Sequence, residues 1–271
     1  MSLTQPGFAT PPIAAGGAGE LAIDHARIEF IARRDNKKYT AIGDVSFTVA
    51  PEEFVSVVGP SGCGKSSLML AVAGLIPLAR GSVRVSGKLV TGPEHDRAMV
   101  FQSASLLPWR SVVGNVSYGL ELMKVDRAQA RQRAHEMIEL VGLSGFESNY
   151  PHELSGGMQQ RVNLARALAA DPLVLLMDEP FAALDAQTRE LMQDELLRIW
   201  TEMKKSVMFV THQIDEAIFL ADRVVVLGRG PATKVVKVVE IPLGRPRPES
   251  IKRTPEFVAI VDDIWTTIRG A

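Results

Sequence analysis

The sequence contains one cysteine, Cys63, in 271 residues. No disulfide can form within the chain, and the composition suits a reducing compartment. Neither sign of charge dominates: 30 Lys and Arg stand against 31 Asp and Glu, a formal net charge of -1. The broad positive footprint of a general nucleic-acid binder is missing, so no nucleic-acid partner is expected. No run approaches the roughly 18–20 apolar residues that span a bilayer, so any membrane role must come through a partner. The first twenty residues, MSLTQPGFATPPIAAGGAGE, lack a basic start and a continuous apolar centre. They read as a loose tail rather than a secretory signal. What remains is ordinary globular material, 46% hydrophobic and 23% charged, long enough to bury a substantial core.

From about residue 21 short β-like runs alternate with helix-period segments. Val45, Phe47 and Val49 alternate as on a half-buried strand, and Phe54–Val58 is a continuous apolar run ending at Gly59. Ser66–Ala73 reads as a helix stopped by Gly74. Val83 and Val85 alternate again, and Met99–Phe101 reads as a buried strand. From about 103 to 170 the pattern changes. Ala130, Ala134, Met137, Ile138 and Val141 form one helical stripe ending at Gly142; Met158, Val162, Ala165 and Ala169 form another. Strand and helix patterns then resume at Leu173–Met177, Gln187–Met203, Val207–Val210 and Val224–Leu227. Continuous apolar strands between helices predict an α/β chain with a mostly parallel sheet and a helical insertion. Ligands of such sheets bind at the carboxyl ends of the strands.

Two motifs fall at those ends, and a third falls within the helical insertion. Gly59-Pro60-Ser61-Gly62-Cys63-Gly64-Lys65-Ser66 satisfies G-x-x-x-x-G-K-[ST]. Its glycines let backbone N–H groups turn inward around phosphate oxygens; Lys65 would reach the β and γ phosphates and Ser66 would ligate magnesium. Cys63 is read first as a small loop residue. Its place before a helix also predicts a reactive thiol, whose alkylation should inhibit and which ATP should protect. Second, Leu173–Met177 delivers Asp178-Glu179 to its carboxyl end, a poor choice unless a cation waits there. Asp178 is placed to hold magnesium, and Glu179 to orient or deprotonate water. Third, Leu154-Ser155-Gly156-Gly157-Met158-Gln159-Gln160-Arg161 combines a helix-capping serine with glycines that expose backbone N–H groups, a second phosphate site.

That octamer resembles the signature of ABC ATPases, and the resemblance extends over about residues 21–245. It implies an ABC ATPase fold: a P-loop core with a mostly parallel sheet, an antiparallel β subdomain, and a helical subdomain at about 103–170. Residues 1–20 would precede this domain, and 246–271 would follow it as a helical extension. On the same resemblance Gln102 looks like the glutamine that ligates magnesium and senses nucleotide. Ala183-Leu184-Asp185 looks like the D-loop, His212 like the switch histidine on the γ-phosphate, and Tyr39 like the aromatic that stacks on adenine. Ser67 replaces a more usual threonine but keeps a hydroxyl for the α-phosphate. Glu52 stands where a turn glycine is common, and Gln213 where aspartate is frequent. The family implies a head-to-tail homodimer, with ATP held between the P-loop of one copy and Ser155, Gly156 and Gly157 of the other.

Phe101–Arg110, with its Leu-Pro-Trp at Leu107–Trp109, resembles importer ATPases of the nitrate, sulfonate and taurine group, and Pro242-Leu243-x-Arg245-Pro246-Arg247 adds to the likeness. The implied partners are a transmembrane permease and, indirectly, an extracytoplasmic solute-binding protein, with the chain on the cytoplasmic face of the membrane. Core packing and partner contact both remain open for Leu106, Leu107 and Trp109. Phe257, Ile260, Val261, Ile264, Trp265 and Ile268 recur at helical spacing and should pack back on the domain.

Overall fold

Two long amino-terminal strands alternate buried and accessible side chains, as a sheet with one face on a core requires. The computed structural model describes residues 17–31 and 36–270; residues 1–16 of the expected tail lie outside the described residues. β1 (Leu21–Ile31) and β2 (Lys38–Val49) pair antiparallel, with Leu21 opposite Val49. β3 (Phe54–Val58) leads into α1 (Lys65–Val72). β4 (Arg80–Val85) pairs with β1 and carries β5 (Lys88–Leu89) on its other edge. β6 (Arg97–Val100) follows. Then come four helices with no strand between them: α2 (Val112–Val116), α3 (Tyr118–Leu122), α4 (Arg127–Leu140) and α5 (Gly156–Ala169). This is the expected helical insertion. The chain continues through β7 (Val174–Asp178), α6 (Ala186–Met203), β8 (Ser206–Val210), α7 (Ile214–Leu220), β9 (Arg223–Leu227), β10 (Thr233–Glu240) and α8 (Pro255–Gly270).

The strands form one sheet in the order β5-β4-β1-β2-β10-β9-β3-β8-β7-β6. The run from β9 to β6 is parallel, whereas β1 pairs antiparallel with β2 and with β4, and β4 pairs antiparallel with β5. Continuous hydrophobicity in the central strands has a simple cause: both faces are covered. Phe54 and Val58 point into the core beneath the helical insertion, whereas Val55 and Val57 point into the core against α1. β7 and β8 divide their side chains the same way. Phe54 also meets Trp200 edge-on and Phe209 obliquely, at centroid separations of 5.8 and 5.7 Å.

Four details differ from expectation or sharpen it. The strand expected at Met99–Phe101 ends at Val100, and Phe101 is exposed because the chain leaves the sheet there, its carbonyl taken by Asn163. Leu173 precedes its strand and is exposed. Glu52 keeps the turn where glycine is common by adopting φ 61°, with its N–H donated to Ser206 Oγ at 3.0 Å. The carboxyl-terminal helix packs back as expected: Phe257 and Ile264 are buried, and Ile260, Val261 and Ile268 lie against the same core. Trp265 does not join them; it is exposed beneath the Arg269 guanidinium.

Candidate functional site

Parallel pairing places the ends of β3, β8, β7 and β6 side by side on one edge of the sheet. Val57 lies opposite Val210, and Val210 opposite Asp178. The P-loop, His212, the Asp178-Glu179 pair and Gln102 therefore follow the four strand ends in that spatial order. Motifs separated by more than a hundred residues share one sheet edge because the strands between them run the same way.

The P-loop closes tightly. Cys63 N–H donates to the Pro60 carbonyl at 3.2 Å, and Gly64 begins α1 with φ 97°. A Cβ at Gly64 would sit 2.8 Å from Ile42 Cδ1, so this position needs glycine on both counts. Lys65 is only 6% exposed. Its ammonium folds back onto the Gly59 and Pro60 carbonyls at 2.8 and 3.1 Å, which holds a cation within the loop. Pro60, Ser61 and Gly62 line a cleft of about 430 Å³ together with Tyr39 and Arg229. Tyr39 is half exposed, its ring stacked on Phe30 with centroids 5.9 Å apart. Ser66 directs its hydroxyl across to Asp178 Oδ1, 3.1 Å away; Ser67 is the next residue of the same first turn.

Burial raises the Asp178 carboxyl above the usual carboxylate range; Glu179 adds to this, while Ser66 and Lys65 oppose it. A cation at Ser66 and Asp178 would reverse that balance. Among the described residues no cluster of three or more His, Cys, Asp or Glu forms a metal site. A divalent ion here would take most of its ligands from hydroxyl, amide, phosphate and water, as a nucleotide-bound magnesium does. Glu179 sits at φ 45°, a left-handed conformation rare outside glycine. Its own N–H is pinned to the Val210 carbonyl at 2.9 Å, and its Oε2 lies 3.1 Å from His212 Nδ1.

Cys63 contradicts the expectation of a reactive thiol. It is 1% exposed, and burial pushes the thiol up more strongly than Lys65 pulls it down. The helix end cannot activate a sulfur that faces the core.

The octamer opens α5. Ser155 caps the helix by accepting Met158 N–H, and Gly157 lies so close to α6 that a Cβ would stand 2.8 Å from Thr188 Cγ2. Thr188 in turn bonds Asp185, which caps α6 and whose carboxyl is lowered by the Thr188 N–H and hydroxyl. Signature and D-loop are thus seated against each other. Further along α5, three polar residues hold the segment after β6. Gln160 donates to the Gln102 carbonyl at 2.7 Å, Asn163 to the Phe101 carbonyl at 3.2 Å, and Arg166 to the Ala104 and Ser105 carbonyls at 2.9 Å each. Sequence reading followed the apolar stripe of this helix and passed over these three, although their spacing of three residues was a visible signal. Gln102 itself is exposed. It lines a second cleft of about 370 Å³ with Gly156, Gln159 and Leu184. Among the described residues none lines both this cleft and the one at the P-loop. Leu106 packs on the core and Leu107 is half-buried, but Trp109 is 71% exposed.

The family model described as ABC transporter matches residues 42–182. An uncharacterized ABC transporter ATP-binding protein of Methanocaldococcus jannaschii is 51% identical over 213 residues, 79% of each chain. The taurine import ATP-binding protein of Rhizobium johnstonii is 45% identical, with 90% of this chain and 94% of that one covered. Among solved structures, a dimeric ATP-binding cassette in a post-hydrolysis state, bound to ADP and Pi, aligns with a TM-score of 0.71 and 28% identity. The alignment covers 83% of this chain and 100% of that one.

Proposed function

The chain belongs to the ABC transporter ATPases, ATP-hydrolysing cassettes, and from that premise we propose that it powers an importer from the cytoplasmic face of a membrane, as a homodimer bound to permease subunits. The observation that carries the catalytic part is the meeting of Lys65, Ser66, Asp178, Glu179 and His212 at one sheet edge. Lys65 leaves its two carbonyl acceptors for the β and γ phosphates, charged acceptors that bind an ammonium more strongly. Ser66, Asp178 and Gln102 would hold magnesium, which supplies charge neutralisation at the phosphates. Ser67 reaches the α-phosphate, the P-loop N–H groups from Gly59 to Gly64 wrap the chain of phosphates, and Tyr39 stacks on the base.

Glu179 orients the attacking water and accepts its proton. One carboxylate oxygen is fixed by His212, so the other is left aimed at the water rather than free to rotate. His212 contacts the γ-phosphate with the ring nitrogen not engaged by Glu179. Ser155, Gly156 and Gly157 serve the nucleotide held by the facing copy, with Asp185 beside them.

The relatives named for taurine import support a small solute such as taurine or another sulfonate, with nitrate the further candidate from the sequence resemblance, delivered to a partner permease by a solute-binding protein. Among the described residues no helix is long and apolar enough to cross a membrane. Trp109, exposed beside the segment that α5 holds, is the residue we assign to permease contact. The test is Glu179→Gln. This variant should bind ATP normally, lose at least about a hundredfold in turnover, and accumulate as an ATP-dependent dimer by light scattering. Turnover near that of the parent would remove Glu179 from the mechanism.

A further inference from the structure

Thr211 and Gln213 flank His212, and both are held by a polar chain that begins outside the nucleotide site. Lys252 lies in the short 3-10 turn Glu249–Arg253 before α8. Its ammonium donates to Gln193 Oε1 at 3.1 Å and lies 4.5 Å from the centre of the Phe219 ring. Gln193, on α6, donates through Nε2 to Glu216 Oε1 at 3.1 Å. Glu216, on α7 and 4% exposed, accepts the Thr211 hydroxyl on its other oxygen. Thr211 Oγ1 in turn accepts the Gln213 N–H at 3.0 Å. A branch fixes the Gln213 side chain as well: Arg189 donates to Gln213 Oε1 at 3.2 Å and to the Leu184 carbonyl at 2.7 Å.

Each link admits one direction. An ammonium has only donors, so the Gln193 carbonyl must face Lys252 and its NH2 must face Glu216. An ionised carboxylate has only acceptors, so the Thr211 hydroxyl gives its single proton to Glu216. That leaves the hydroxyl's lone pairs for the Gln213 N–H. Burial raises the Glu216 carboxyl above the usual carboxylate range, while the Thr211 and Gln193 donors favour the ionised form that this direction requires. Reversing any member sets two donors or two acceptors against each other in a buried place, which costs more than the bond is worth. The position of one ammonium, 40 residues beyond His212 in the chain, thereby sets the orientation of the backbone on the far side of that histidine.

We propose that Lys252 and Glu216 are positioning residues for His212, giving the carboxyl-terminal segment a hold on ATP hydrolysis; this rests on the reading of His212 and Glu179 as hydrolytic residues. Substrate contact is not involved. Loss of the chain lets the Thr211–Gln213 backbone relax, so His212 meets Glu179 and the γ-phosphate in the correct geometry for a smaller fraction of the time. Nucleotide binding, which rests on the P-loop and Tyr39, is untouched.

Steady-state ATP turnover of the full chain tests this with Lys252→Met, Lys252→Arg, Thr211→Val, Thr211→Ser and the Lys252→Met/Thr211→Val double variant. Lys252→Met keeps an unbranched chain of similar length but removes both the donor to Gln193 and the ammonium over the Phe219 ring. It should lower kcat about three- to tenfold, the kinetic equivalent of one net hydrogen bond, and leave KM for ATP within about twofold. Thr211→Val should do the same. Arg at 252 and Ser at 211 should each restore most of the loss, and the double variant should be no worse than the poorer single one, because both cut the same chain. Wild-type kcat in Lys252→Met, a loss that Arg fails to rescue, or losses that multiply in the double variant would overturn the proposal. If Thr211→Val does not fold, the half-buried Lys252 pair decides alone. His212→Ala separates the two levels: unchanged turnover there would refute the hydrolytic reading itself, whatever the Lys252 variants do.

Discussion

Replacing Arg247 with Met should destabilise the region behind His212 and cost at least about 3–4 kcal/mol. A seven-residue helix such as α7 ends with carbonyls that have no partner within the helix. Here they belong to Ile218, Phe219, Leu220 and Ala221. Arg247 Nη1 donates to Ile218, Phe219 and Ala221 at 2.9, 3.0 and 2.7 Å, and Arg245 takes Leu220. Arg247 also ties back to the Leu243 carbonyl at 3.2 and 3.0 Å. It is 5% exposed, and burial brings its guanidinium down to about 10, which still leaves it protonated at neutral pH. Met keeps the stem and removes every donor. Two hydrogens on Nη1 are shared among three carbonyls, so the end of α7 alone loses about two charge-assisted bonds at about 1.5–2 kcal/mol each, and the two bonds to Leu243 go as well, which makes this a lower bound. For a chain of this size that is a fall in Tm of roughly 6–16 °C. Denaturant midpoints of the full chain measure it, with Arg245→Met as the internal comparison. Arg245 is more exposed and shares its charge with Asp222 and the Trp200 ring, so its loss should be about half as large. A change below about 1 kcal/mol for Arg247→Met, with an unchanged denaturant slope, would refute the capping argument.

Two further outcomes follow from burial alone. Cys63 should label slowly in the folded chain at pH 7, at less than about a tenth of the rate in denaturant; rapid stoichiometric labelling of native protein would show that the loop opens to expose its sulfur. Trp109→Ala should change stability by no more than about 0.5 kcal/mol, since the ring is exposed. It should nonetheless weaken permease association by about 2 kcal/mol or more, read by co-purification and solute uptake, and full uptake would remove Trp109 from the interface.

Sequence reading found the elements whose hydrophobicity has one cause. β3, β7 and β8 are buried on both faces and therefore read as unbroken apolar runs; α4 and α5 each keep a stripe against the core. The same logic explains what was missed. α7 is buried almost all round, from Ile214 through Leu220, so it has no polar face to supply a period. β10 carries a charge at every third position across Lys234 and Lys237, and its place between β9 and β2 depends on pairing that no local pattern encodes. The phosphate loop, the acidic pair and the signature were legible because their chemistry is compressed into consecutive residues. The Lys252 chain was not, because its links join residues as far apart as 59 positions. The Arg-Pro-Arg near the end stood out only as a likeness until the fold placed it under the open end of α7.

α5 joins two tasks in one stiff rod. Its tip carries Ser155 and its flank grips the 101–105 segment through Gln160, Asn163 and Arg166. With a rise of about 1.5 Å per residue, tip and last grip are about 16 Å apart. A tilt of about 5° around the gripped end therefore carries Ser155 through about 1.4 Å, enough to stretch a hydrogen bond beyond its range. The gripped loop thus works at the short arm of a lever. A push on the outside of the molecule that breaks none of the loop's own bonds is magnified at the helix tip, and under the proposed function that displacement is the difference between reaching a phosphate and missing it.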